Sequence, residues 1–166
     1  FGDPEMGRAA AGSGAAAIVM HMQGEPRTMQ EVPEYEDVVR EVAAFLGERA
    51  SMAERDGVDS VWIDPGIGFG KSWDHNLEIL RDLSPFHHLG RPLVAGVSRK
   101  RFIGEATGVA EARERMTGSK VAEAFAVLGG VDIIRTHDVR EAIEGIRMAE
   151  ALARGEVNPG SVKEAR

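Results

Sequence analysis

Apolar residues gather in four short runs, residues 17–20, 60–63, 92–97 and 131–135, and between these runs they recur every three or four positions. The short runs lack a period-two alternation, which predicts strands of a parallel sheet covered on both faces. The longer stretches predict helices over 35–55, 74–83, 119–128 and 139–153. In the first of these, Val38, Val39, Val42, Phe45, Leu46 and Ala50 share one face. In the last, Ile143, Ile146 and Ala149 do. A short helix over 4–11 has Asp3 as its N-cap and Pro4 in its first turn. Polar or glycine-containing loops fill 24–33 and 102–117, and a polar tail runs over 155–166. Strand and helix alternate at about 30–40 residues per unit, the spacing of βα units, so the fold class is α/β. Four such strands make either a small open sheet or half of an eight-stranded (β/α)8 TIM barrel. Both place function at the C-terminal strand ends.

The chain has 166 residues, 43% of them hydrophobic, enough for one domain with a real core. The expected division is a domain over 1–154 followed by the tail over 155–166. A net charge of −7 argues against nucleic acid as a partner. There are no cysteines, hence no disulfide and no thiolate metal site, as in a reducing, cytoplasmic setting. No apolar run approaches the roughly 20 residues that span a bilayer, so no membrane partner is expected. The first residues, FGDPEM, carry neither an initiating Met nor a signal-peptide pattern.

Each predicted strand runs into polar residues. The first leads to Met20, His21, Met22 and Gln23. Met20 can line an apolar slot and Gln23 can orient a ligand, or the two methionines fill core and His21 is an internally satisfied ring. The second ends on Asp64, followed by Pro65 and glycines at 66, 68 and 70 around Phe69 and Lys71. A carboxylate at a buried strand end is costly without a partner. It can hold the amino and ring N–H edge of a guanidine-like heterocycle, or it can cap its own turn. The third strand passes Gly96 into Ser98, Arg99, Lys100 and Arg101, either a solvated basic run or an anion site. The fourth gives Arg135, Thr136, His137 and Asp138. Arg135 and His137 share one face and suit a phosphate, the alternative being a structural Arg–Asp pair. Together the four ends predict a pocket with one acidic spot and a cationic rim. No metal-ligand spacing is visible, and the glycines over 66–70 do not follow the dinucleotide-binding pattern.

The segments MHMQGEPRTMQ (20–30), IDPGIGFGK (63–71), His75-Asn76, GVSRKRFIG (96–104) and RTHDV (135–139) resemble the motifs of dihydropteroate synthases, in order and across nearly the whole chain to residue 153. The resemblance implies a (β/α)8 barrel of which this chain covers about strands five to eight, without the N-terminal half. It implies condensation of 6-hydroxymethyl-7,8-dihydropterin pyrophosphate with 4-aminobenzoate in folate synthesis, with Mg2+ as cofactor on a loop absent here. It implies a homodimer, and little activity from this chain by itself. By the same resemblance Asp64 and Lys100 hold the pterin, and Met20 packs on its ring. Phe69 and Lys71 border the aminobenzoate slot, Gly96 allows close approach, and Arg135 and His137 take the pyrophosphate. Lys100, Arg135 and His137 are the expected catalytic residues. Arg101 stands where many members of that family carry a serine. A pterin-binding barrel that presents methyltetrahydrofolate is the alternative, and it lacks the cationic rim.

Overall fold

A computed structural model describes residues 3, 5–29, 31 and 33–154 of the chain. Helix α1 (Met6–Ser13) leads into β1 (Ala17–Met20), α2 (Val38–Arg55), β2 (Val61–Asp64), α3 (Trp73–Arg81), the one-turn α4 (Ser84–His87), β3 (Val94–Ala95), α5 (Arg101–Thr107), α6 (Met116–Leu128), β4 (Ile133–Ile134) and α7 (Val139–Arg154). β1 pairs with β2 in parallel, with Met20 opposite Asp64. β3 pairs with β4 in parallel, and an Ile63–Leu93 bridge joins the two halves. The spatial order therefore follows the chain order, β1-β2-β3-β4. Right-handed crossovers then bring the helices to one side of the sheet, as in a barrel wall.

α2 supplies the largest part of the covering layer. Its Val38, Val39, Val42, Ala43, Leu46, Ala50 and Ala53 are buried along one stripe. Asp37 caps it, accepting from the Arg40 N–H at 3.0 Å, so the helix starts three residues later than the pattern predicts. Tyr35 stays outside and sends its hydroxyl to the Gly70 carbonyl at 2.7 Å. Along β1 and β2, burial alternates. Ala17, Val19, Val61 and Ile63 are buried, while Ile18 on the opposite face is 46% exposed. The expected two-sided covering does not hold for this face among the described residues.

Other differences have local causes. α1 begins at Met6 with Glu5, not Asp3, at the cap position, although the Asp3 carboxylate accepts the Glu5 N–H. β3 and β4 are shorter than their apolar runs, and before their start the Asp132 side chain takes the Leu93 N–H at 2.8 Å. The predicted loop over 102–117 contains α5 and a 3-10 turn (Ala112–Glu114). Gly104 suggested a loop, but it is a packing residue inside α5. A β-carbon there would meet the Val109 carbonyl at 2.6 Å. On α7 the buried positions are Ala142 and Ala149, while Ile143 is exposed. The predicted tail lies outside the described residues. No described helix is long and apolar enough to cross a membrane.

Candidate functional site

The C-terminal ends of all four strands meet at one edge, and Asp64 is its centre. The carboxylate is 1% exposed. Oδ1 accepts the Gly66 N–H at 2.8 Å, and Oδ2 accepts from Arg135 Nη2 at 3.1 Å. The turn-capping alternative for Asp64 therefore holds, and the same carboxylate also faces a cation. Each carboxylate oxygen has a second lone pair, so further donors can still be accepted. Arg135 reaches Asp64 by lying over Gly96, where a β-carbon would fall 2.7 Å from Nη2. Any larger residue at 96 displaces the guanidinium.

The glycine loop after β2 is fixed from beneath. Gly66 has φ +70°, and a β-carbon would sit 1.8 Å from the His21 carbonyl oxygen. Lys71 is 2% exposed, and its ammonium has three acceptors: His21 Nδ1 at 2.9 Å and the carbonyls of Gly66 and Phe69, each at 3.1 Å. Three is the full donor capacity of an ammonium. Burial pulls the Lys71 pKa down to about 7, against the attraction of Asp64. His21 is the satisfied ring rather than a ligand. Burial, then the Lys71 charge, lowers its pKa to about 4, and its ring stands edge-on to Phe45. Asn76 Oδ1 accepts the Gly68 N–H at 2.7 Å while Nδ2 donates to the Ser72 carbonyl. Gln23 is not free to orient a ligand, because both ends of its amide are engaged by the Glu34 backbone. Met20, half-buried, stands beside Asp64 in the ladder.

The three consecutive cations diverge, so they do not form one rim. Arg99 turns away and pairs with Asp138, whose pKa it lowers through their hydrogen bonds. Arg101 points outward to Glu105 at 2.7 Å. Lys100 alone of the three faces the site, its Nζ 3.8 Å from the centre of the Phe69 ring. Burial lowers its pKa, Arg135 adds to this, and Asp64 opposes both. Arg99 makes this splay possible with a left-handed φ of 58°. Ser119 Oγ holds the strained turn by accepting the Arg99 N–H at 2.8 Å, and Arg115 donates to the Arg99 carbonyl. His137 Nδ1 lies 3.0 Å from the buried Ser98 hydroxyl, and both His137 and Arg135 are exposed. Thr136 turns inward to Glu123, which is 1% exposed and paired with Lys120 at 2.8 Å.

Reading motifs gave no role to Asn76, Ser119 or Glu123. A signal existed in the helix phase. Asn76 lies on the buried face of α3 with Ile79 and Leu80, and Ser119 and Glu123 lie on the buried face of α6 with Ala126. A polar residue in an apolar phase needs a buried partner. A cleft of about 350 Å3 beside Lys71 and Asn76 is bordered by Gly68, Trp73, Arg101 and Phe102. The described residues contain no cluster of three or more His, Asp or Glu side chains that could hold a metal.

Comparison with known proteins identifies the family. Residues 2–137 match the family described as pterin binding enzyme. The dihydropteroate synthase of Escherichia coli is 41% identical over 158 residues, covering 94% of this chain and 56% of that protein. The solved dihydropteroate synthase of Thermus thermophilus in complex with 4-aminobenzoate superposes with a TM-score of 0.87 at 48% identity, over 90% of this chain and 59% of that one. The same enzyme in complex with 6HMPPP gives 0.87 at 47% identity, over 91% and 61%. This chain thus spans little more than half the length of the relatives it matches. With most of its length matched in sequence and its backbone superposed, the chain belongs to the pterin binding enzyme family.

Proposed function

We propose that this chain is the part of a dihydropteroate synthase that supplies barrel strands five to eight, with residues 1–154 as that half-barrel. The reaction joins 4-aminobenzoate to 6-hydroxymethyl-7,8-dihydropterin pyrophosphate. The observation that carries the reading is the buried Asp64 carboxylate facing the half-exposed Arg135 guanidinium across Gly96. An acidic anchor for a heterocyclic N–H edge and a cation for a leaving anion then lie within one pocket. Asp64 takes the pterin amino and ring N–H donors on its remaining lone pairs. Met20 lines the ring, and Lys100 reaches its carbonyl side. Phe69 borders the aminobenzoate slot. Lys71 acts there through the loop carbonyls that it holds.

In the reaction the aniline nitrogen attacks the pterin methylene carbon and the carbon–oxygen bond to pyrophosphate breaks. The electron pair leaves with pyrophosphate, and the nitrogen releases one proton. Arg135 and His137 stabilise the charge that develops on the leaving group. No protein nucleophile is needed. Mg2+ finds no ligand set among the described residues, where Asp64 is engaged by Gly66 and Arg135 and Asp138 by Arg99, so no step here runs through it. Arg101, at the rim of the cleft and paired with Glu105, supplies no hydroxyl to the aminobenzoate. Exposed Val121, Phe125 and Leu128 on α6 and Met148 and Leu152 on α7 support a homodimer, which sedimentation equilibrium would detect as twice the chain mass. Assaying the complete protein that carries this chain tests the function. Formation of dihydropteroate, lost in Arg135→Ala, is expected. Pterin binding without turnover would favour the methyltetrahydrofolate-presenting alternative.

A further inference from the structure

The sequence has four lysines, at 71, 100, 120 and 163. Lys71 is buried with three acceptors. Lys120 Nζ is held by Glu123 Oε2 at 2.8 Å, Thr136 Oγ1 at 3.1 Å and the Asp138 carbonyl at 3.0 Å. Lys163 lies outside the described residues. Lys100 differs from the two described lysines: it is half-buried, makes no ion pair with a carboxylate among the described residues, and presents Nζ over an aromatic face. Asp64, the nearby carboxylate that could neutralise it, is paired with Arg135 instead. Arg135 is 54% exposed along its side chain, and His137 is exposed at the same edge.

We propose that Lys100 is a covalent capture site for small aromatic aldehydes that carry a phosphate. Nζ attacks the aldehyde carbon, the carbinolamine loses water, and an imine remains. Overall, ammonium and aldehyde give imine, one water and one proton, with no oxidant or reductant. The Phe69 ring offers a stacking face to the aromatic ring. Arg135 and His137 offer donors to the phosphate, and this anion subsite rests on the function proposed above. Burial and the Arg135 charge lower the Lys100 pKa, which raises the share of free amine at neutral pH. The Phe69 ring favours the cation and limits that gain. The adduct fills the strand-end pocket, so such aldehydes are inhibitors of whatever binds there.

The test treats the chain with pyridoxal 5′-phosphate, reduces the imine with borohydride and maps the labelled peptides. Lys100 should carry about tenfold more label than Lys120 or Lys163, an advantage of the size of one charge-assisted contact. Pyridoxal, which lacks the phosphate, should label Lys100 about tenfold less. Lys100→Gln should lose the label with an unchanged circular dichroism spectrum. Label spread evenly over the lysines, or equal labelling by the two aldehydes, would overturn the proposal. Selective, phosphate-dependent labelling in a protein that fails to bind pterin pyrophosphate would keep it and sink the synthase reading.

Discussion

The glycine loop after β2 and the basic segments after β3 and β4 meet at the same edge, but they are held in different ways. The loop is fixed by groups that point at its backbone: Lys71 to two carbonyls, Asn76 to the Gly68 N–H, Tyr35 to the Gly70 carbonyl. The basic segments are held by charged side chains: Arg99 pairs with Asp138 from one segment to the other, and the Lys120–Glu123 pair of α6 holds Thr136 and the Asp138 carbonyl. The first kind of support fixes shape and leaves Asp64 and Phe69 as the groups presented. The second sorts cations, taking Arg99 out of the pocket and leaving Lys100 and Arg135 facing it. A basic run at a strand end is therefore a poor count of the charges a ligand meets.

Substitutions that attack one support and spare the other sharpen this contrast. Gly66→Ala should be the most damaging, since both the left-handed φ and the collision with the His21 carbonyl oppose it. A loss of about 4 kcal/mol in denaturant unfolding is expected, and a loss near zero would mean the loop is not rigid. Glu123→Ala removes the carboxylate that neutralises the Lys120 ammonium beneath the β4 end. A cost of about 3 kcal/mol is expected from the same measurement, with Gly68 amide exchange unchanged because the glycine loop is untouched.

pH probes the loop support alone. The folded His21 pKa of about 4 lies below the 6.5 of an unfolded histidine. Between those values the unfolded chain binds a proton that the folded chain does not, so stability falls as pH drops from 6.5 toward 4. After allowing for solvent near the ring, the loss is about 2 kcal/mol. Carboxylates also lose stability in acid, so the difference between the wild-type chain and His21→Gln isolates the ring. Parallel pH profiles would refute the assignment. Asn76→Ala should be mildest, about 1–2 kcal/mol for the lost hydrogen bond between Asn76 and the Gly68 N–H, with faster exchange at that amide and no change in the Arg99–Asp138 pair.

The sequence made the βα order legible because its apolar runs are short and evenly spaced, and it made Asp64 legible because a carboxylate there contradicts burial. Gly104 hid α5, since a glycine needed for close packing looks like one needed for a turn. The arrangement of Arg99, Lys100 and Arg101 was not legible locally, because it depends on Asp138, Ser119 and Glu105, up to 39 residues away. Asn76 and Glu123 were readable in principle from their phase on the buried helix faces, but only with the helix boundaries in hand.

The central claim is that Asp64 anchors a pterin at the meeting point of these two regions. Isothermal titration of the chain with 6-hydroxymethyl-7,8-dihydropterin pyrophosphate, before and after Asp64→Asn, tests it most directly. Removing two charge-assisted hydrogen bonds should weaken binding by about thirtyfold or more. Equal affinity in the two proteins would contradict the account.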